Sequence, residues 1–234
     1  MEEIQYPIRI NKYLALKKIC TRKEADVLIT QKKVKINDAL AVLGDKVKEN
    51  DNVSVSNFKK DLIYLAFNKP KGVITHSPQK GETEIKKIIK TNQQVFPVGR
   101  LDKDSSGLII LTNDGRITDR MLNPKYKHEK EYIVKVSSPI DNHFIKRMAD
   151  GIKLDDGYVT KKCVVRKTSN NSFSIILTEG KNRQIRRMCA RLNHGIVDLK
   201  RVRILNIELG TLVQGEFRDI KGKELESFLS LVGL

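Results

Sequence analysis

Two aspartates lie in a polar segment that comes directly before a short apolar run. The segment reads G-R-L-D-K-D-S-S-G over residues 99–107, and the apolar run covers residues 108–111. This pattern predicts a buried strand between two turns, with the loop at a sheet edge where a carboxylate can be held in a cleft. Asp102 and Asp104 are the two carboxylates that this loop could hold there. The spacing is also that of ordinary turn aspartates, and taken alone it favours this simpler interpretation.

A tyrosine stands in the second segment of interest, K-E-Y at residues 130–132. Tyr132 alternates with Val134 and Val136, so a strand would place the three side chains on one face. An aromatic ring in this position either belongs to the core, with its hydroxyl at the rim, or stacks on a nucleic-acid base. The alternation leaves both interpretations open.

The third segment is strongly basic and reads E-G-K-N-R-Q-I-R-R-M over residues 179–188. From Lys181 to Arg203 the chain has eight basic residues and one acidic residue. A helix over residues 182–192 would turn an apolar stripe toward the core. Three arginines border that stripe, namely Arg183, Arg186 and Arg187. Glycine before such a helix is typical of an anion site, and nonspecific attraction of RNA to a basic helix is the alternative.

These segments need a scaffold, and residues 62–234 are predicted to form it as one domain. Strands are predicted at residues 62–67, 108–111 and 131–136, with a hairpin that pairs residues 158–166 with 172–178. Helices are predicted at residues 115–122, 141–149, 182–192 and 223–231. No strand–helix–strand rhythm persists, so the fold class is α+β with a mixed, largely antiparallel central sheet flanked by helices.

Residues 1–58 are predicted to form a small separate domain, with a polar, turn-rich boundary near residues 56–61. Its predicted elements are two short helices, the second begun by a capping box at Thr21, and strands at residues 34–36 and 53–55. Nine basic and two acidic residues lie between residues 9 and 35. Such a face either contacts RNA phosphates or is simply solvated. The candidate contacts are Lys12, Arg22 and Lys23.

The whole chain is basic, with 45 Lys and Arg against 28 Asp and Glu in 234 residues. The formal charge of +17 favours a polyanionic partner, either a nucleic acid or an anionic membrane. No apolar run approaches the roughly 20 residues of a membrane span, and the acidic start is unlike a signal peptide. Three widely spaced cysteines fit neither a disulfide framework nor a zinc site, which indicates a cytoplasmic protein without a metal.

The N-terminal part resembles the S4 (α-L) RNA-binding domain over I-R-I-N-K-Y-L (8–14), C-T-R-K-E-A-D (20–26), V-K-I-N (34–37) and V-L-G-D-K-V (42–47). In the remainder, four segments occur in order: N-K-P-K-G (68–72), G-R-L-D with S-S-G-L-I-I-L-T-N-D-G (99–102 and 105–115), K-E-Y (130–132) and the basic segment (179–188). Together they resemble the RsuA/RluB/RluE/RluF family of pseudouridine synthases, and its RluF branch most closely.

This resemblance implies the isomerisation of uridine to pseudouridine without cofactor or metal. It implies Asp102 as nucleophile, Tyr132 against the uracil ring and Arg186 as the basic partner of the Asp102 carboxylate. Further RNA or substrate contacts are expected at Lys69, Pro70, Arg100, Leu101, Lys181, Arg183 and Arg187. The implied substrate is a stem-loop of 23S ribosomal RNA, with a transfer-RNA anticodon loop as a second candidate, and the expected state is a monomer.

Two other functions fit parts of the sequence. A noncatalytic S4-type RNA-binding protein or ribosome assembly factor would need the basic surfaces but not Asp102. An aspartate-dependent RNA hydrolase or glycosylase would need a second carboxylate as its acid. The only candidate near Asp102 is Asp104, two residues away, which disfavours this third function.

Overall fold

The computed structural model describes residues 5–17, 19–56, 61–91 and 94–234. The chain divides into two compact units, Met1–Leu62 with Asp114–Arg116, and Ile63–Asn113 with Ile117–Leu234. The predicted domain boundary near residues 56–61 falls partly on residues 57–60, which lie outside the described residues. The predicted domain limits of 58 and 62 therefore stay predictions.

The N-terminal unit has two helices and short strands. Its elements are β1 (Ile8–Arg9), α1 (Ile10–Leu16), α2 (Arg22–Thr30), β2 (Val34–Ile36), β3 (Ala39–Leu40), β4 (Lys46–Val47) and β5 (Val53–Val55). The predicted capping box is confirmed, because the Thr21 hydroxyl accepts the Glu24 N–H and the Glu24 carboxylate accepts the Thr21 N–H. Apolar side chains of both helices form the core, whereas Lys12, Arg22 and Lys23 are exposed.

The C-terminal unit is built on one large sheet. Its elements are β6 (Tyr64–Lys69), α3 (Ile85–Ile88), β7 (Phe96–Val98), β8 (Ser106–Thr112), α4 (Ile117–Leu122), β9 (Lys130–Val136), α5 (Asn142–Asp150), β10 (Val164–Ser169), β11 (Ser172–Leu177), α6 (Gln184–Arg191), β12 (Ile196–Ile204), β13 (Ile207–Glu208), β14 (Phe217–Asp219) and α7 (Gly222–Leu231). Over the described residues the strand order is β10-β11-β9-β12-β8-β6-β14, with β13 on β12 and β7 on β8.

This sheet confirms the predicted α+β class. The strands β8 and β12 run parallel, and the other pairs described are antiparallel. Alternating residues of β6 and β8 pack on opposite faces, Ala66 and Ile110 in one core cluster and Phe67 and Ile109 in another. Every residue of both strands is buried, which explains their continuous apolar runs.

One predicted strand is wrong in its bounds, and one strand was not predicted. The strand predicted at residues 158–166 begins only at Val164, and its pairing with β11 extends to Ser169. Residues 158–163 are instead irregular, apart from a bridge between Val159 and Lys153. The nine-residue strand β12 received no prediction at all, because charged residues interrupt its apolar pattern.

Within residues 5–17, 19–56, 61–91 and 94–234, no helix is long and apolar enough to cross a bilayer.

Gly107 should be essential for stability, because it pairs with Arg201 where β8 and β12 meet. Its φ is +105°, and an added Cβ would lie 2.2 Å from the Arg201 carbonyl oxygen. We expect Gly107→Ala to lower the free energy of unfolding by about 3 kcal/mol or more, measured by urea denaturation. Gly157→Ala is the matched control, since its φ is +82° but nothing lies within 4 Å. Equal losses in both variants would contradict the steric argument.

Candidate active site

Asp102 lies in the loop of residues 99–105 between β7 and β8. The strand β8 is an interior strand with partners on both sides, so the loop sits at the end of an interior strand and not at a sheet edge as expected. A cavity of about 450 Å³ opens at this end of the sheet, and Asp102 forms part of its wall. The Asp102 side chain is 34% exposed, which leaves its carboxylate accessible from the cavity.

Several hydrogen bonds fix the backbone of this loop. The buried Thr75 hydroxyl donates to the Leu101 carbonyl and accepts the Leu101 N–H, at 2.9 and 3.0 Å. The Gly72 N–H donates to the Lys103 carbonyl, and the Ser105 N–H donates to the Asp102 carbonyl. The position of Asp102 is therefore set by neighbours on both sides of it.

Two arginines of the basic segment face the Asp102 carboxylate. Arg183 Nη1 and Arg186 Nε lie 3.8 and 3.9 Å from Asp102 Oδ2. Arg186 Nη2 also donates to the Asp104 carbonyl and the Ser105 hydroxyl, at 3.0 and 3.1 Å. The structure thus brings together Asp102 and Arg186, as expected, and adds Arg183 to the pair.

The loop that precedes α6 is held by a buried carboxylate. Glu179 accepts hydrogen bonds from the Tyr158 hydroxyl (2.6 Å), the Gln184 side-chain amide (2.7 Å) and the Lys161 N–H (3.0 Å). The hydrogen bond to Glu179 raises the pKa of Tyr158, so the phenol stays protonated and donates. These contacts place the start of α6, and hence both arginines, beside the cavity.

Tyr132 on β9 lies in the wall of the same cavity. Its ring packs partly against the core cluster that contains Val134, and the side chain is only half-buried. The two interpretations of the sequence are thus compatible, because Tyr132 packs against the core and also lines the cavity. The structure gives a tyrosine that could contact a planar base.

Replacing Tyr132 should lower the rate of the reaction rather than RNA binding. If the hydroxyl transfers a proton, Tyr132→Phe should lower kcat by about 100-fold. Tyr132→Ala should lower it further, since base–aromatic stacking contributes about 1–3 kcal/mol. The rate of pseudouridine formation, the reaction that the family resemblance implies, measures both effects. Tyr126→Phe, an exposed tyrosine outside the cavity wall, is the control. Wild-type kcat in Tyr132→Phe would exclude proton transfer by this hydroxyl.

The other predicted contacts divide into two groups. Arg100, Leu101 and Lys181 line the cavity, and the Lys181 ammonium lies 4.3 Å from the centre of the Tyr158 ring. Lys69, Pro70 and Arg187 do not line it. The Arg187 guanidinium is paired with the carboxylates of Asp155 and Asp156. Contact of Arg187 with RNA therefore stays a prediction.

Lys69 is fully buried, and its ammonium donates to the Pro70 carbonyl (3.0 Å) and the Val73 carbonyl (2.5 Å). Burial lowers the pKa of Lys69 to about 8, against the opposite effect of the nearby Asp102 carboxylate. These bonds hold the main chain of residues 70–73, and a direct contact of Lys69 with a substrate stays a prediction.

Two cationic residues of the cavity wall were not predicted as site residues. Arg201 on β12 is 3% exposed, and Lys130 begins β9 two residues before Tyr132. Burial, with a smaller effect of Arg201, lowers the pKa of Lys130 to about 8. The K-E-Y segment could have indicated Lys130, because residues two apart on a strand share a face.

The site is rich in cations and hydrogen-bond donors. The part of the chain that the structure describes holds no group of three or more His, Cys, Asp or Glu side chains that could bind a metal ion. The arrangement is the Asp102 carboxylate, opposed by guanidinium groups, beside an aromatic ring in a cavity large enough for a nucleotide. The second carboxylate of the wall, Glu179, already accepts three hydrogen bonds.

The chain belongs to the RNA pseudouridylate synthase family, whose model matches residues 63–191. The S4 domain model matches residues 8–53. These matches confirm the family resemblance and the predicted order of the two folds. They favour the enzyme over a noncatalytic RNA-binding protein, and the chain isomerises uridine in RNA.

The relatives agree with this assignment. The chain is 41% identical to the dual-specificity RNA pseudouridine synthase RluF of Escherichia coli (strain K12), over 96% of this chain and 79% of that protein. It is 31% identical to the ribosomal large subunit pseudouridine synthase B of Bacillus subtilis (strain 168), over 95% and 96%. A crystal structure of a pseudouridylate synthase is similar, with a TM-score of 0.70 and 28% identity, over 94% of this chain and 99% of that chain.

Proposed function

We propose that this enzyme isomerises a uridine in a stem-loop of 23S ribosomal RNA, with Asp102 as the nucleophile. The observation that supports Asp102 most directly is its carboxylate in the cavity wall, 3.8 and 3.9 Å from Arg183 and Arg186. Guanidinium groups at this distance attract the carboxylate and favour one orientation of it. An ionised carboxylate sheltered in a cleft is what a nucleophile requires.

The reaction breaks the N1–C1′ bond, turns the uracil ring and joins C5 to C1′, after which a proton leaves C5 and N1 takes one up. Product and substrate are isomers, so the chemistry needs no cofactor or metal. We place the attack of Asp102 at ribose C1′, with addition to uracil C6 as the rival step. Tyr132 would stack on the detached ring, and Arg186 would hold the carboxylate in position.

A uridine inside a helix is inaccessible to Asp102, so it must be flipped into the cavity. Flipping costs a few kcal/mol, and least in loops and bulges, which supports a stem-loop substrate. Around the cavity Arg100, Leu101 and Lys181 would contact the flipped nucleotide, with Lys69 and Pro70 behind them. In the N-terminal unit the exposed Lys12, Arg22 and Lys23 would contact phosphates.

The choice of RNA follows from the relatives. The Bacillus subtilis relative is named for the large ribosomal subunit, which supports large-subunit RNA for this chain. The Escherichia coli relative is named for dual specificity, which supports a second substrate, and we propose a transfer-RNA anticodon loop. We further propose that the enzyme is a cytoplasmic monomer, and light scattering should give a mass near 26.7 kDa.

Pseudouridine mapping tests the substrate. Ribosomal and transfer RNA from cells with and without the gene should differ at one large-subunit stem-loop position, and at an anticodon-loop position if there is a second substrate. Expression of the wild-type gene should restore the modification, and expression of the Asp102→Asn variant should not. Loss of a small-subunit position, with every large-subunit position unchanged, would refute the proposed substrate.

A further inference from the structure

Arg201 lies between the two parts of the proposed site. On β12 its main chain is opposite Tyr132 of β9 on one side and Gly107 of β8 on the other. It is among the most deeply buried charged residues of the described chain, at 3% exposure. A buried arginine at this point can act on both neighbouring strands at once.

The Arg201 side chain contacts both the loop that contains Asp102 and the strand β8 that follows this loop. Its Nε donates to the Leu108 carbonyl at 2.7 Å, and its Nη1 lies 3.5 Å from the Arg100 carbonyl. These two carbonyls come before and after Asp102 in the chain, so one rigid, planar group bonds the main chain on both sides of it. A displacement of about 1 Å at a reacting group can cost about 100-fold in rate, which makes this span important.

One nitrogen of the Arg201 guanidinium has no hydrogen-bond partner within the described residues. This nitrogen is Nη2, and it is buried. A buried donor without a hydrogen-bond partner costs about 1–3 kcal/mol, and more if the group is charged. An arginine that only stabilised the fold would therefore be expected to have a partner for each of its buried nitrogens. Arg201 also forms part of the cavity wall. Its unpaired nitrogen therefore indicates a partner that enters with the substrate.

The positive charge of Arg201 also indicates that it acts on a bound substrate. The hydrogen bonds described for it go to main-chain carbonyls and not to a carboxylate. Its positive charge contributes to the lowered pKa of Lys69 and of Lys130, after the larger effect of burial. Positive charge that is not locally neutralised stabilises negative charge that develops on a bound substrate.

We propose that Arg201 is a further catalytic residue, which holds the Asp102 loop and donates a hydrogen bond from Nη2 to a carbonyl oxygen of the flipped uracil. The proposal rests on the isomerisation described above. When the N1–C1′ bond breaks, its electron pair stays on the ring and the charge spreads to the carbonyl oxygens. When C5 displaces Asp102 from C1′, the ring is neutral again, and a proton then leaves C5 while N1 takes one up. Arg201 stabilises the charged ring between these two steps.

Three variants test whether Arg201 positions the loop that contains Asp102. Arg201→Gln should lower kcat by about 100-fold or more, with KM for RNA within about threefold of wild type. Arg201→Lys keeps the charge but cannot bond both carbonyls, so it should recover only part of the rate. Arg203→Gln, on the same strand, loses bonds to Glu129 and Glu131 outside the cavity wall and should keep kcat within about threefold.

The contact with the uracil needs its own readout. RNA with sulfur in place of one uracil carbonyl oxygen, at O2 or at O4, should react more slowly with the wild type, because sulfur is a weaker acceptor. In Arg201→Lys, the sulfur substitution at one of the two positions should reduce the rate by a smaller factor than in the wild type, because the contact with that oxygen is already lost. This is the non-additivity that a double-mutant cycle measures for two groups in contact. The Arg201→Lys variant also serves if Arg201→Gln fails to fold. Additive losses at both positions would overturn the contact.

The outcomes are separable. Wild-type kcat in a folded Arg201→Gln variant, or an equal loss in Arg203→Gln, would overturn the positioning role. All variants are compared on total uridine-labelled RNA, which contains whichever RNA the wild type modifies. A wild type that modifies total RNA but not the large-subunit stem-loop would refute the proposed substrate and leave the comparison of Arg201 variants valid.

Discussion

Asp102→Asn should abolish pseudouridine formation while RNA binding is retained. The amide has nearly the shape of the carboxylate but lacks the negative charge and nucleophilic oxygen that attack at C1′ requires. We expect a loss of about 10⁴-fold or more in rate, as for removal of other enzymatic nucleophiles. Release of tritium from RNA labelled at uridine C5 measures the reaction, because the C5 proton leaves only when C5 has bonded to the ribose.

Asp104→Asn provides the matched control for this variant. Asp104 is two residues from Asp102 in the same loop, but it is exposed, and only its main-chain carbonyl contacts Arg186. The side-chain change should therefore leave the rate near that of the wild type. Tritium release by Asp102→Asn at more than a few per cent of the wild-type rate would refute Asp102 as the nucleophile.

Much of the fold could be predicted because local patterns and the final structure agree. The apolar runs at β6 and β8 predicted buried strands, and Thr21 predicted the start of α2. The strand β12 was missed because its sequence, I-V-D-L-K-R-V-R-I, looks like a solvated basic segment. Two of its arginines are instead bonded within the fold: Arg201 donates to main-chain carbonyls, and Arg203 donates to two glutamates. Such tertiary partners leave no local signal.

The site could be predicted where the chain has a recognisable motif. Asp102, Tyr132 and Arg186 were expected together, and the structure places all three in one cavity wall. Periodicity alone could not have done this, since it also fits a turn aspartate and a core tyrosine. Lys69 was expected to contact the substrate, and the structure shows it fully buried and bonded to main-chain carbonyls, so its contact stays a prediction. Sequence spacing gives the face of a strand but not the depth of a side chain.

Replacing Arg186 should cost far more activity than replacing Arg183, although both lie about equally far from Asp102. The Arg186 side chain is 15% exposed and that of Arg183 is 46% exposed, so water screens the second pair much more strongly. Only Arg186 also bonds the loop itself, at Asp104 and Ser105. We expect kcat to fall about 100-fold or more in Arg186→Gln and about tenfold or less in Arg183→Gln.

The two arginines can be separated further by their effect on RNA binding. Arg183 is exposed at the cavity rim, so its loss should weaken RNA binding. The slope of log affinity against log salt concentration should also become smaller, by the amount expected for about one phosphate contact. Arg191→Gln controls for net charge, because this exposed arginine is on the same helix and outside the cavity wall. Equal losses of kcat in Arg183→Gln and Arg186→Gln would show that the charge alone matters. A selective loss in Arg186→Gln would instead mean that the Asp102 loop requires a planar guanidinium bonded to its backbone.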